Sequence, residues 1–154
     1  MTGLSLSLHA LAAVIWVGGM FFAYMAMRPA VVRVVDPSQR PLLWCHTLSL
    51  FFRWVWASVA LLLVTGYGLI HLYGGMGQVN WHIHVMHGLA IVMLVIFVAL
   101  VHGPWGRFRR AREAGDAGAA AAALGGIRRL VALNLTLGLV TAVLGASGRW
   151  WGAS

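Results

Sequence analysis

Seven histidines stand in a chain of 154 residues of which only 9% are charged. Ionisable groups at membrane depth are costly and are generally kept for function, so these imidazoles are where chemistry is expected first. Five of them, His9, His71, His82, His84 and His87, fall near one boundary of the apolar runs, with Met86 beside the last two. His9 is about five residues into the first run and His87 about five into the third, which at the rise of a helix puts both roughly 8 Å below the same surface. His84 neighbours His87 one turn away on the same helix face, and His71 enters from the end of the second run. Imidazoles on facing helices are suitable axial ligands for haem iron, and a methionine sulfur can replace one of them. The same donors suit copper, with sulfur favouring the reduced ion. The expected site is therefore His9 from the first helix with His87, His84 or Met86 from the third, and His71 close by.

A plainer reading stands beside this one, since membrane histidines also hydrogen-bond across helices without any cofactor. It is the preferred reading for His46 and His102, which lie near the opposite surface. A second haem there would sit about 22 Å from the first by helix rise. Arg53 is the deepest charge on that side. It is expected to snorkel to lipid phosphate, with Asp36, a propionate or a quinone head group as other partners. Asn134 is expected to bond across helices, and Met20, Met25 and Met27 to serve packing. Trp16, Trp54 and Trp56 also read as packing or interface residues. No hydrolase triad, phosphate loop or paired intramembrane carboxylate is present, and with no acid in any apolar run a carboxylate proton relay is not expected. Cys45 is the only cysteine, which excludes an internal disulfide and a paired-thiol redox motif.

These residues must be positioned by transmembrane helices. With 61% hydrophobic residues and few charges, the composition is far from that of a soluble domain. The length gives room for about four spans of roughly 20 residues. The reading is an all-α membrane protein, a four-helix up-down bundle with spans at about 4–27, 50–73, 82–103 and 127–148, forming a single transmembrane domain over 1–154. The first run is read as a retained helix, because no basic region precedes it as a signal peptide would require. Arg28-Pro29 is expected to stop the first span. Residues 28–49 and 104–126 are expected to be cytoplasmic loops, with Pro41 to Phe52 lying along the interface and Asp116 capping a short alanine-rich helix. The glycine-rich string Tyr73 to Asn80 is expected to break the second span from the third. Trp81 and Tyr73 are expected at one interface, Trp105 at the other, and Arg149-Trp150-Trp151 at the end of the fourth span.

The net charge is +8 and all eleven basic residues are arginine. Ten of them flank the two segments read as inner loops, and only Arg149 falls on the other side. That asymmetry predicts both termini outside, in a plasma or bacterial inner membrane with a periplasmic outer face. It also accounts for the basic charge by lipid and topology, so no nucleic acid partner is expected.

The run Leu8 to Met20, with His9, Trp16, Gly18 and Gly19 and then Arg28-Pro29, resembles the first span of the copper-resistance D (CopD) family of bacterial inner-membrane proteins. Phe51-Phe52-Arg53-Trp54 with Gly66 looks like its second span. His84-Val85-Met86-His87-Gly88 looks like its third, and Arg128-Arg129-Leu130 with Asn134 and Gly138 like its fourth. The resemblance implies copper uptake or tolerance alongside a periplasmic copper-binding partner. The spacing of His9 and Trp16 is also similar to the HemJ-type protoporphyrinogen oxidases, which bind b-type haem through a first-span histidine and a third-span lysine. This chain has no lysine, and Met86 takes that position if His84 matches the preceding histidine. The expectation carried forward is haem b between the first and third helices, serving electron transfer with quinone or a periplasmic redox protein as partner, in a haem-dependent membrane oxidoreductase. The alternative is a copper transport or tolerance protein binding copper at His9, His84, Met86 and His87. A structural subunit without cofactor is the third reading, and a second copy of the chain is a candidate partner in each.

Overall fold

Apolar runs closed by glycine turns and arginine clusters give four long helices in the computed structural model, which describes residues 2–150, the Arg149 side chain excepted. They are α1 (Thr2–Val34), α2 (Arg40–Leu72), α3 (Trp81–Glu113) and α4 (Ala117–Ser147), each long and apolar enough to cross a membrane. Single turns of 3₁₀ helix at Met76–Gln78 and Gly148–Trp150 complete the described chain, which contains no strand. Trp151 lies outside the described residues, as does the side chain of Arg149, so the terminal cluster read from the sequence is described only at Trp150.

The segments expected as loops are largely helical. At about 1.5 Å per residue the helices run roughly 45–50 Å, well beyond an apolar layer of about 30 Å. The surplus turns project at the arginine-rich end. The connections there shrink to residues 35–39 and 114–116. Pro29 does not stop α1. The turn before it, Phe22–Met27, is a wide π turn, and Pro104 sits inside a second one, Val101–Trp105. A proline lacks its amide and crowds the carbonyl four residues back, and the wider turn relieves that conflict without ending the helix. Pro41 stands at the start of α2, where its missing amide costs nothing. The Pro41 to Phe52 stretch is therefore the first part of one continuous helix, with no turn between it and the span.

The ends are set by local chemistry. Gly74 (φ +92°) and Gly115 (φ +72°) take the left-handed conformation that closes α2 and α3. In each case the following amide bonds back five residues, Gly75 to Ile70 and Asp116 to Ala111, both at 2.9 Å. Asp116 then caps α4 as expected, its Oδ1 accepting from the Ala119 amide at 2.8 Å. Arg40 ties the first turn at the arginine end by donating to the carbonyls of Val35 and Val32 at 2.9 and 2.8 Å.

In lipid the helices gain little from hydrophobic exclusion, so close packing must hold them together. The first part of α1 packs along α2, and α3 along α4. Gly19 closes on the Phe51 ring, and Gly138 receives both Val17 and Met93. Between α2 and α3 the contact is made by rings: Trp56 with Phe97 at 5.0 Å, Phe52 with Phe97 at 5.6 Å and Phe52 with Trp105 at 5.2 Å. Trp16 crosses from α1 to Phe97 at 6.1 Å. Edge-on aromatic pairs of this kind contribute about 0.5–1.5 kcal/mol each beyond their buried area. The remaining large apolar side chains, Leu4, Val14, Phe22, Val64 and Val143 among them, face outward, as lipid-facing residues do.

Candidate metal site

Along α1, Ala12, Trp16 and Met20 form the buried stripe, and His9 continues it one turn toward the histidine-rich end. Its ring rests on α2. Nδ1 lies 2.8 Å from Thr65 Oγ1, and Cε1 would stand 3.2 Å from a Cβ placed on Gly66. A side chain at residue 66 would thus crowd the imidazole, which is why this close approach needs glycine.

The Thr65 hydroxyl has a single proton, and it is directed to the Leu61 carbonyl at 2.6 Å. It can therefore only accept from His9, so Nδ1 carries the ring proton and the lone pair is left on Nε2. This is the arrangement by which a metal-ligating histidine is commonly held, its other nitrogen donating to a fixed acceptor. Thr65 was not among the residues read from the sequence. It is a hydroxyl on the core side of a long apolar helix, and nothing in its spacing announces that His9 lies across from it.

The depth of the third-helix donors follows from shared contacts. Val17 of α1 and Met93 of α3 both close on Gly138, so these residues share a level. His9 is eight residues back from Val17, with a π turn at Val14–Gly18 between them, and Met86 is seven residues back from Met93. By helix rise His9 and Met86 therefore lie at similar depth along the bundle. Met86 leans on α4, its Cε 3.0 Å and Sδ 3.7 Å from where a Cβ on Gly145 would be.

The other histidines are distributed differently. His87 stacks edge-on against Tyr67 of α2 at 5.4 Å. Tyr67 is two residues beyond Thr65, which places it on nearly the opposite side of α2. His9 and His87 thus flank α2 at similar depth. His84 and His71 are exposed, and the His82 ring packs on Gly148 at the end of α4. Among the described residues no three of His, Cys, Asp and Glu converge as a metal site would require. At the arginine-rich end His46 is exposed, and His102 is exposed with Nδ1 3.0 Å from the Val98 carbonyl of its own helix. Arg53 is exposed too, and the ion pair found among the described residues is Arg109 with Glu113 at 4.0 Å.

Of the three donors expected opposite His9, Met86 rests on Gly145, His87 rests on Tyr67, and His84 is exposed. The methionine side chain, unbranched with three rotatable bonds, is an adaptable donor. Imidazole with thioether is a soft donor set that selects copper in its reduced state.

Residues 45–147 match the family model described as copper resistance protein D. The match covers most of α2 and all of α3 and α4, while α1, with His9, lies before it. No curated protein and no solved structure matches the chain.

Proposed function

The chain belongs to the copper resistance protein D family, and from that premise we propose that this multi-pass membrane protein binds copper(I) as cargo, through His9 Nε2 and the thioether of Met86. The observation that carries the reading is the hydrogen bond from His9 to Thr65, which leaves a metal-binding lone pair on a half-buried ring level with a sulfur donor. His87, one turn or less away in depth, and the exposed His84 and His71 supply imidazoles between that level and the surface. They are suited to receiving the ion from a periplasmic copper-binding protein. The arginine asymmetry puts this end outside.

Haem b, expected from the same histidine, has no support in the family's description, which names copper. The test is direct. The purified protein in nanodiscs is titrated with copper(I) under a reductant against a chromogenic chelator, and His9→Ala and Met86→Leu are compared with wild type. Stoichiometric copper(I) lost on either substitution supports the reading. A Soret band that shifts on dithionite reduction and disappears in His9→Ala would overturn it in favour of haem.

A further inference from the structure

Asn134 lies inside the bundle with 2% of its surface exposed, and its Oδ1 has no hydrogen-bond partner. The sequence predicts an interhelical bond there, and among the described residues none is made by that oxygen. Buried acceptors are nearly always satisfied, so an orphaned one asks for a physical reason. What surrounds it suggests one. Gly138, one turn away on the same face of α4, touches Val17 of α1 and Met93 of α3, so Asn134 faces the same interior space. Met20 is three residues beyond Val17 in the same direction along the bundle. Met93 and Met20 are 3% and 2% exposed. Two buried methionines and one buried carbonyl oxygen thus share about one helical turn of depth, 5.4 Å, inside an apolar core.

Resting on the copper reading above, we propose that Met20, Met93 and Asn134 form a second copper(I) stop, one step deeper than the site at His9 and Met86. The step from Met86 to Met93 is seven residues, about 10.5 Å by helix rise. Thioethers suit a soft monovalent ion, and no acid lies in the apolar part of any span to hold a hard one. A cation taken into a low-dielectric interior requires dipoles turned toward it. Asn134 Oδ1 is free to act as one because no donor among the described residues occupies it. The ion passes by ligand exchange, one copper–sulfur bond forming as another breaks, and stays copper(I) throughout, so no electron donor is involved. The same residues divide the methionine group read from the sequence as packing. Met25 is exposed and Met27 half-buried, and only Met20 faces the interior.

The test uses the full chain. Copper(I) buffered by bathocuproine disulfonate is titrated into the nanodisc protein, and its passage into sealed proteoliposomes is followed with a lumenal copper(I) indicator. Met93→Leu, Met20→Leu and Asn134→Leu conserve volume, and their thermal unfolding is measured beside wild type. The expected result is a fall from about two to about one copper(I) per chain, the retained ion being the one lost in His9→Ala. Passage is expected to drop by at least about tenfold, as losing a ligand costs no less than losing a second-shell partner. Asn134→Leu distinguishes this from packing: a merely structural Asn134 would give a more stable protein with copper unchanged. One copper(I) per wild-type chain, abolished in His9→Ala and unaffected in the three leucine variants, overturns this inference and leaves the outer site standing. No copper(I) on the wild type overturns both.

Discussion

Replacing Thr65 by valine keeps the shape of the side chain and removes the hydroxyl on which His9 Nδ1 rests. In wild type the hydroxyl accepts from His9 Nδ1 at 2.8 Å while donating to Leu61 at 2.6 Å. In Thr65→Val the ring proton has no acceptor at that position, so the ring is free to rotate or to move its proton to Nε2, where it would block a metal. Interhelical hydrogen bonds in membrane proteins are worth about 0.6 kcal/mol on average and about 1.7 at most, so the fold should survive with a small loss of stability. Copper should be affected more. Partners that orient a ligating histidine typically contribute about 10–100-fold to metal affinity, equivalent to about 1.4–2.8 kcal/mol. The assay is chelator competition for copper(I) on the nanodisc protein, with Thr65→Ser as a variant that restores the hydroxyl. Equal affinity in wild type and Thr65→Val, with both folded, would refute the tautomer argument. A Thr65→Ser protein as weak as Thr65→Val would show that the methyl group, and not the hydroxyl, positions the ring.

Gly138→Ala should destabilise the bundle, because the added Cβ would lie 2.8 Å from Val17 Cγ2 and 3.1 Å from Met93 Cε. A loss of about 1–3 kcal/mol is expected from such overpacking, read as a lower unfolding midpoint in a detergent titration. An unchanged midpoint would mean the α1–α3–α4 contact is loose. Orientation is checked in a Cys45→Ser background by labelling intact cells with a membrane-impermeant maleimide. Gly77→Cys in the α2–α3 turn should react directly, and Ala114→Cys in the α3–α4 turn only after permeabilisation, if the side with ten arginines is the inner one as the positive-inside rule predicts. The reverse pattern would invert the topology and place the histidine-rich end in the cytoplasm.

Much of the architecture is legible in the sequence because the bilayer imposes a one-dimensional rule. A helix must satisfy its own backbone in lipid, so uninterrupted apolar runs bounded by arginine or glycine give the number of crossings and their order. The Tyr73 to Asn80 break and the Asp116 cap follow from equally local chemistry, the left-handed glycine and the N-cap acceptor. The extent of the helices does not follow. Whether Arg28-Pro29 and Trp105 to Arg112 leave the helix depends on π turns that absorb the prolines and on packing at the arginine-rich end, where Phe108 is fully buried.

For the site, the sequence supplied residue types and the approximate depth expected for His9 and His87, because rise per residue is fixed by the helix itself. What lies beside each ring was decided only by the tertiary structure. Which face of a helix meets which neighbour depends on rotation about axes that lipid leaves nearly undetermined, and close-packed contacts such as Gly66 under His9, Gly145 under Met86 and Gly138 under Met93 fix that rotation. Those contacts turn His9 onto Thr65, set His87 against Tyr67 on the far side of α2, and leave Asn134 buried, because in a bundle without a hydrophobic driving force it is the fit of small residues against large ones that selects the arrangement.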